Sequence, residues 1–238
     1  MGDLILSAKC TGFREEKDLD NSIKFQEVKK FIHARDGNAC GYCKDVFDNE
    51  QEIHHKDGDH HNDDKDNLET ICPLCHTCLH INVAGERSRG IIAYLPELTQ
   101  VEINSSYKML MCIAEQDELH LLSKFAIQAE PWCILSAGFS NVKGMPNIIG
   151  EKIQSRVDIV ENRFCKGWSN PSVFGTMLLS LENDAYSKRK EALKGLRLIP
   201  SIQGYASEAK AWRDYFLKTK PLSSWSDIAD AVVKNGAY

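Results

Sequence analysis

Nowhere in the 238 residues does an apolar run approach the ~20 residues that a membrane-spanning helix requires, so no stretch reads as a membrane span. There is no low-complexity tract and no internal repeat, which excludes fibrous, collagenous and solenoid classes. The opening MGDLILSAKC is short and carries Asp3, and makes a poor secretory signal. Its Met-Gly start lacks the Ser or Thr that a myristoylation site needs at residue 6, which is Leu. Basic residues are scarce where a phosphate-binding loop would need them: Lys44 to Glu69 holds ten acidic and three basic residues. Lys143 to Lys220 reverses the balance, with fourteen basic and eight acidic residues. The remaining composition, 42% hydrophobic and 26% charged, is that of an ordinary globular protein long enough for one large domain or two modest ones.

Nine cysteines are an odd number, and five of them crowd into one stretch. That distribution points to a reducing cytoplasm with metal-bound thiolates rather than to disulfides. Cys112, Cys133 and Cys165 sit among apolar neighbours and read as small core residues. The crowded stretch is Cys40 to His80. It contains two Cys-x-x-Cys pairs, Cys40/Cys43 and Cys72/Cys75, separated by a long loop. Tetrahedral zinc needs four ligands, and each pair supplies two from one tight turn, so the spacing predicts a four-cysteine structural zinc site. Cys78 is then superfluous as a ligand.

Between and just after the pairs lie His54-His55, Asn67, His76 and His80. Coarse patterning places a helix from Asn21 to Arg35, closed by Asp36-Gly37. It predicts strands near Glu52–His55 and Leu68–Cys72, and a helix from Pro73 that carries His76 and His80 on one face, four residues apart. The intervening DGDHHNDDKDN is turn chemistry, with His60 and His61 expected in solvent. Residues 1–20 read as a short strand or arm. Farther on come a strand at IIAYL, a capping box at Thr99 and Glu102, helices over Glu118–Gln128 and around Ile153–Phe164, and an Asn170-Pro171 helix start. Gly195 closes a helix, and two more follow in AKAWRDYFLK and SSWSDIADAVV; everything beyond residue 147 reads as helical. PWCILSAGFSNVKGMP suggests a hinge at 130–148.

On these residues the stretch from Arg35 to His80 resembles the HNH (ββα-metal) nuclease family. The resemblance implies that His54 and His76 bind a catalytic divalent ion, Mg2+ or another, with His80 a further ligand. It implies that His55 is the general base and that Asn67 orients the His55 imidazole. A neutral imidazole near pH 7 suits that role.

Three downstream segments, AYLPELTQVEINSSYKMLMCIAEQ, IVENRFCKGWSNPSVFGTMLLS and LKGLRLIPS, together with the finger, are similar to the DotN/IcmJ family of type IVB (Dot/Icm) secretion and conjugation systems over about residues 24–215. That resemblance implies a zinc-binding subunit of a coupling complex, peripheral at the inner membrane and docked to a DotL-like coupling ATPase. Secretion-type members keep the cysteines without the paired histidines, whereas this chain has both.

The expected fold is α+β, an HNH or treble-clef-like ββα zinc finger embedded in a mainly helical body. The expected segments are an arm and lead-in helix over 1–34, the zinc-binding domain over 35–90 and the body over 91–238. The expected function is that of an adaptor for the coupling ATPase. The alternative is an active HNH endonuclease hydrolysing DNA.

Overall fold

The computed structural model describes residues 4–8, 23–47, 51–115, 148–201 and 203–219. Helix α1, Ile23–Arg35, stops at the Asp36-Gly37 turn, where Gly37 takes φ +61° and Asn38 φ 54°. Its end is fastened to the second strand of the unit and the loop before it. The Arg35 guanidinium donates to the carbonyls of Lys65 and Leu68, and Asp36 accepts from the Thr70 amide. A tight turn bridged at Ala39 and Val46 then carries Cys40 and Cys43.

Strands β1, Glu52–His55, and β2, Leu68–Ile71, pair antiparallel with His55 opposite Leu68 and Glu52 opposite Ile71. Helix α2, Pro73–Leu79, begins directly after β2, with Cys72 at the N-cap and Pro73 in the first helical turn, where the missing N–H costs nothing. The sequence-predicted ββα order is therefore present with nearly the expected bounds. Helix α3, Ile81–Glu86, follows at once. The arm at residues 4–8 is not a strand. It lies across the α2–α3 junction, with Ser7 N donating to Cys78 O, Ile81 N donating to Ser7 O, and Leu4, Leu6 and Ala8 buried.

Strand β3, Gly90–Tyr94, leads to α4, Gln100–Glu115. The capping box is made: Glu102 accepts from Thr99 N at 2.7 Å, and Glu102 N donates to Thr99 Oγ1 at 3.2 Å. Helix α5, Ile148–Ile159, runs into a π-helical turn at Val160–Phe164, with Val157 and Val160 on the buried side. Cys165 leaves that turn exposed, contrary to the expected core position.

Helix α6, Pro171–Ser180, is capped by Asn170, whose Oδ1 accepts from Ser172 N at 2.9 Å. It packs on α3 at close range. A Cβ on Gly175 would stand 2.6 Å from the Asn82 Cα, so glycine sets that approach. Two short helices, α7 (Asn183–Ser187) and α8 (Arg189–Ala192), end at Gly195 with φ +88°.

The all-helical expectation fails at the next segment. Leu196–Pro200 is β4, paired antiparallel with β3, with Tyr94 opposite Leu196 and Gly90 opposite Pro200. A five-residue strand buried at Leu196, Leu198, Ile199 and Pro200 shows no alternation by which it could be recognised. A single 3-10 turn, Gln203–Tyr205, then leads into α9, Ala206–Thr219, which packs along α4 and buries Trp212 against Phe47 and Tyr205. The fold is α+β, helices around two small antiparallel sheets. One buried cluster extends from Leu4 to Trp212 and draws on all three expected segments. The helix expected at 118–128, nearly all of the hinge and the last expected helix lie outside the described residues. Among the described residues no helix is long and apolar enough to cross a membrane.

Candidate metal centre

The tight turn after α1 and the start of α2 bring four sulfurs together. The Sγ atoms of Cys40, Cys43, Cys72 and Cys75 all lie within 4.8 Å of one another, and Cys43 and Cys72 are 3.7 Å apart. Four sulfurs around zinc at ~2.3 Å would be spaced by about 3.8 Å, so the set fits a tetrahedral ion. Three of the four are buried, with Cys43 half-buried. Hydrogen bonds from Cys43, Cys72 and Cys75 hold the Cys40 thiol far below its ordinary value, while burial pushes Cys72 up. The four sulfurs thus compete for one another's protons, a competition that a divalent cation removes by taking all four as thiolates. Cys78 stands aside, as expected. It is buried, its thiol is pushed up to about 12 by burial, and it donates to the Leu74 carbonyl.

A second cluster is built from β1, α2 and the C-cap of α2. His54 ends up buried on β1, and His76 and His80 face it from α2 and its C-cap. Their ligand nitrogens lie within 4.8 Å of one another, and the ring centroids are 5.3 Å (His54–His76), 5.7 Å (His54–His80) and 4.7 Å (His76–His80) apart. His76 Nδ1 meets Glu52 Oε2 at 2.6 Å. That carboxylate fixes the proton on Nδ1 and leaves Nε2 as a lone-pair donor. His54 Nδ1 and His80 Nε2 are buried and have no hydrogen-bond partner in the structure. Burial first, and the neighbouring His76 next, lower His54 to about 3 and His80 to about 2, so both rings are neutral near pH 7. Three converging imidazoles, two of them with unpartnered buried nitrogens, are a donor set for a divalent ion.

His55 and Asn67 are arranged differently from the sequence expectation. His55 is 4% exposed, stacks on Phe25 at 6.2 Å, and its Nε2 meets Asp63 Oδ1 at 3.1 Å. Asn67 is occupied with the loop itself, donating to Asp57 Oδ1 and the Asn62 carbonyl and accepting from Asp57 N. The carboxylate that meets His55 is therefore that of Asp63, and Asn67 closes the loop. His60 is not a solvated loop residue; its ring lies 5.0 Å from His55 and 5.7 Å from His80.

Glu52, Asp63 and His60 escape sequence reasoning as site residues because acidic and His side chains in a polar stretch carry no periodic signal. Lys108 and Asn104 on α4 escape it too. Lys108 Nζ lies 3.0 Å from Cys43 Sγ, and Asn104 Nδ2 lies 3.4 Å from Cys75 Sγ. A signal for them exists: two polar residues share a helix face with the apolar Ile103 and Tyr107.

No family model matches the chain. The chain is similar to the type 4 apparatus protein DotN of Legionella pneumophila subsp. pneumophila (strain Philadelphia 1), with 28% identity over 211 residues, 88% of this chain and 87% of that protein. That similarity spans the ββα unit and the helical body together, as do the motifs from YLPELTQ to LKGLRLIPS, and it supports the resemblance to the DotN/IcmJ family that those motifs carry.

Proposed function

We propose that this protein is a component of a type IV (Dot/Icm) secretion apparatus, a zinc-stapled adaptor that docks a DotL-like coupling ATPase. The observation that carries the reading is the similarity to the type 4 apparatus protein DotN across nearly the whole of both chains. The four-cysteine cluster supports the scaffold part of the reading, with zinc as the ion, because a closed S4 donor set is that of a structural site. Complex formation would keep the protein at the inner membrane.

Co-purification tests this reading. The tagged chain should retain the ATPase tail, His55→Ala should retain it equally, and Cys72→Ser should lose it. Recovery of no coupling ATPase by the intact chain would overturn it.

A second reading, an HNH endonuclease hydrolysing DNA with a divalent ion, is favoured by one observation: His54, His76 and His80 converge beside His55. In that reading the ion stabilises the charge developing on phosphate. His55 would take the proton from the attacking water. Against it, His55 is buried with Nε2 on Asp63 and His60 over it, and the loop around it is strongly acidic. Plasmid nicking in Mg2+, Mn2+ or Ni2+ that disappears in His55→Ala would establish the activity. Absence of nicking with every metal removes it.

A further inference from the structure

Helix α4 turns a row of polar side chains toward the protein interior. Gln100, Asn104 and Lys108, four residues apart, are 2%, 0% and 0% exposed. Polar groups stay inside a core only where partners offset their lost hydration. The partners here run in one line from the β3–β4 sheet to the cysteine cluster. Gln100 takes both sides of Leu198 on β4, accepting from its N at 2.9 Å and donating to its O at 2.8 Å, and also donates to Asn104 Oδ1 at 3.0 Å. With its oxygen so held, Asn104 aims Nδ2 at Cys75 Sγ, 3.4 Å away, and at Cys78 Sγ, 3.7 Å away. Lys108 Nζ reaches Cys43 Sγ at 3.0 Å, Cys72 Sγ at 3.6 Å and Asp45 Oδ2 at 2.6 Å. Three of the four clustered sulfurs thus receive an N–H from one helix.

Neutral thiols are weak acceptors and would leave the Asp45 carboxylate alone to offset the buried Lys108 ammonium. Four thiolates around one divalent ion leave two negative charges on the sulfurs, and those are strong acceptors. We propose that Asn104 and Lys108 tune the cysteine-bound zinc: their N–H groups stabilise the thiolates of Cys75, Cys43 and Cys72 against protonation and offset their excess negative charge, tightening metal retention and lowering thiolate reactivity, while Gln100 holds Asn104 in the donating orientation. This rests on the zinc reading of the four cysteines.

Cobalt substitution in the full-length chain, with metal content counted by native mass spectrometry, tests it. Lys108→Met removes the donor and keeps the stem. It should move the sulfur-to-cobalt charge-transfer band to longer wavelength and weaken zinc affinity about 10–100-fold. Lys108→Arg should return both toward the native values. Asn104→Leu should shift the same band through Cys75, and carries the test if Lys108→Met does not fold. A purely packing role moves neither the band nor the affinity beyond what lost stability explains. An unchanged band in a folded Lys108→Met or Asn104→Leu protein would overturn the inference. A native chain that takes up no metal overturns instead the zinc reading beneath it.

Discussion

Glu52 and His76 meet across the ββα unit, carboxylate Oε2 to imidazole Nδ1 at 2.6 Å. The contact joins the first residue of β1 to the middle of α2, and it decides which nitrogen of His76 is free. A carboxylate behind a ligating histidine raises its basicity and fixes its orientation.

Glu52→Gln should therefore weaken binding of a divalent ion at His54, His76 and His80 by about tenfold or more. Zinc at the four cysteines should be unaffected, because the Glu52 carboxylate is engaged with His76, which is not among the four sulfur donors. Calorimetric titration of Ni2+ or Zn2+ into protein already loaded at the cysteines measures this. Equal affinity in the variant would show that Glu52 does not orient the ligand.

Stability should fall as pH drops below the ordinary histidine range. His54 and His80 have folded pKa values lowered to about 3 and about 2, from 6.5. Between those values the unfolded chain binds more protons than the folded one, so stability rises with pH across that window and is complete above about 6.5. A tenfold difference in proton affinity between the two states is worth about 1.4 kcal/mol, so the loss between pH 6.5 and 4 should amount to roughly a few kcal/mol. Bound metal adds to the effect in the same direction, since protons compete with it. Urea midpoints from pH 8 to 4 measure it, and the double variant His54→Phe/His80→Phe should flatten the slope. A slope equally steep in that variant would place its origin elsewhere.

The α3–α6 contact gives a prediction independent of metal. Gly175→Ala drives a Cβ to 2.6 Å from the Asn82 Cα, which is backbone and cannot swing aside. Overpacking of this kind costs about 1–3 kcal/mol. The denaturation midpoint should drop accordingly; an unchanged midpoint would mean that the two helices separate freely.

Features specified by neighbours in sequence are readable from the chain alone. The Cys-x-x-Cys pairs, the Cys72-Pro73 helix start, the Thr99–Glu102 box and the Asn170 cap each depend on residues within a few positions, and each stands where its spacing places it. Features specified by distant partners are not. β4 exists because Leu196–Pro200 pairs with Gly90–Tyr94, far earlier in the chain. The arm at residues 4–8 is held by the exposed backbone of the α2–α3 junction, which no local pattern announces. Family resemblance pairs Asn67 with His55, yet its amide is consumed by Asp57 and Asn62 within the loop. Lys108 lies beside apolar Ile103 and Tyr107 on its helix, but the sulfur partners against which it is fully buried come from far earlier in the chain.

A cysteine-bound zinc at the centre of the fold, with the histidine cluster as a separate site beside it, is the central claim. Native mass spectrometry of the purified full-length chain and two variants tests it most directly. The native protein and His76→Ala should each carry one zinc that resists dilution, and Cys72→Ser should lose that zinc together with its cooperative unfolding transition. A native protein without zinc, or a Cys72→Ser protein that keeps both zinc and cooperative unfolding, would contradict the claim.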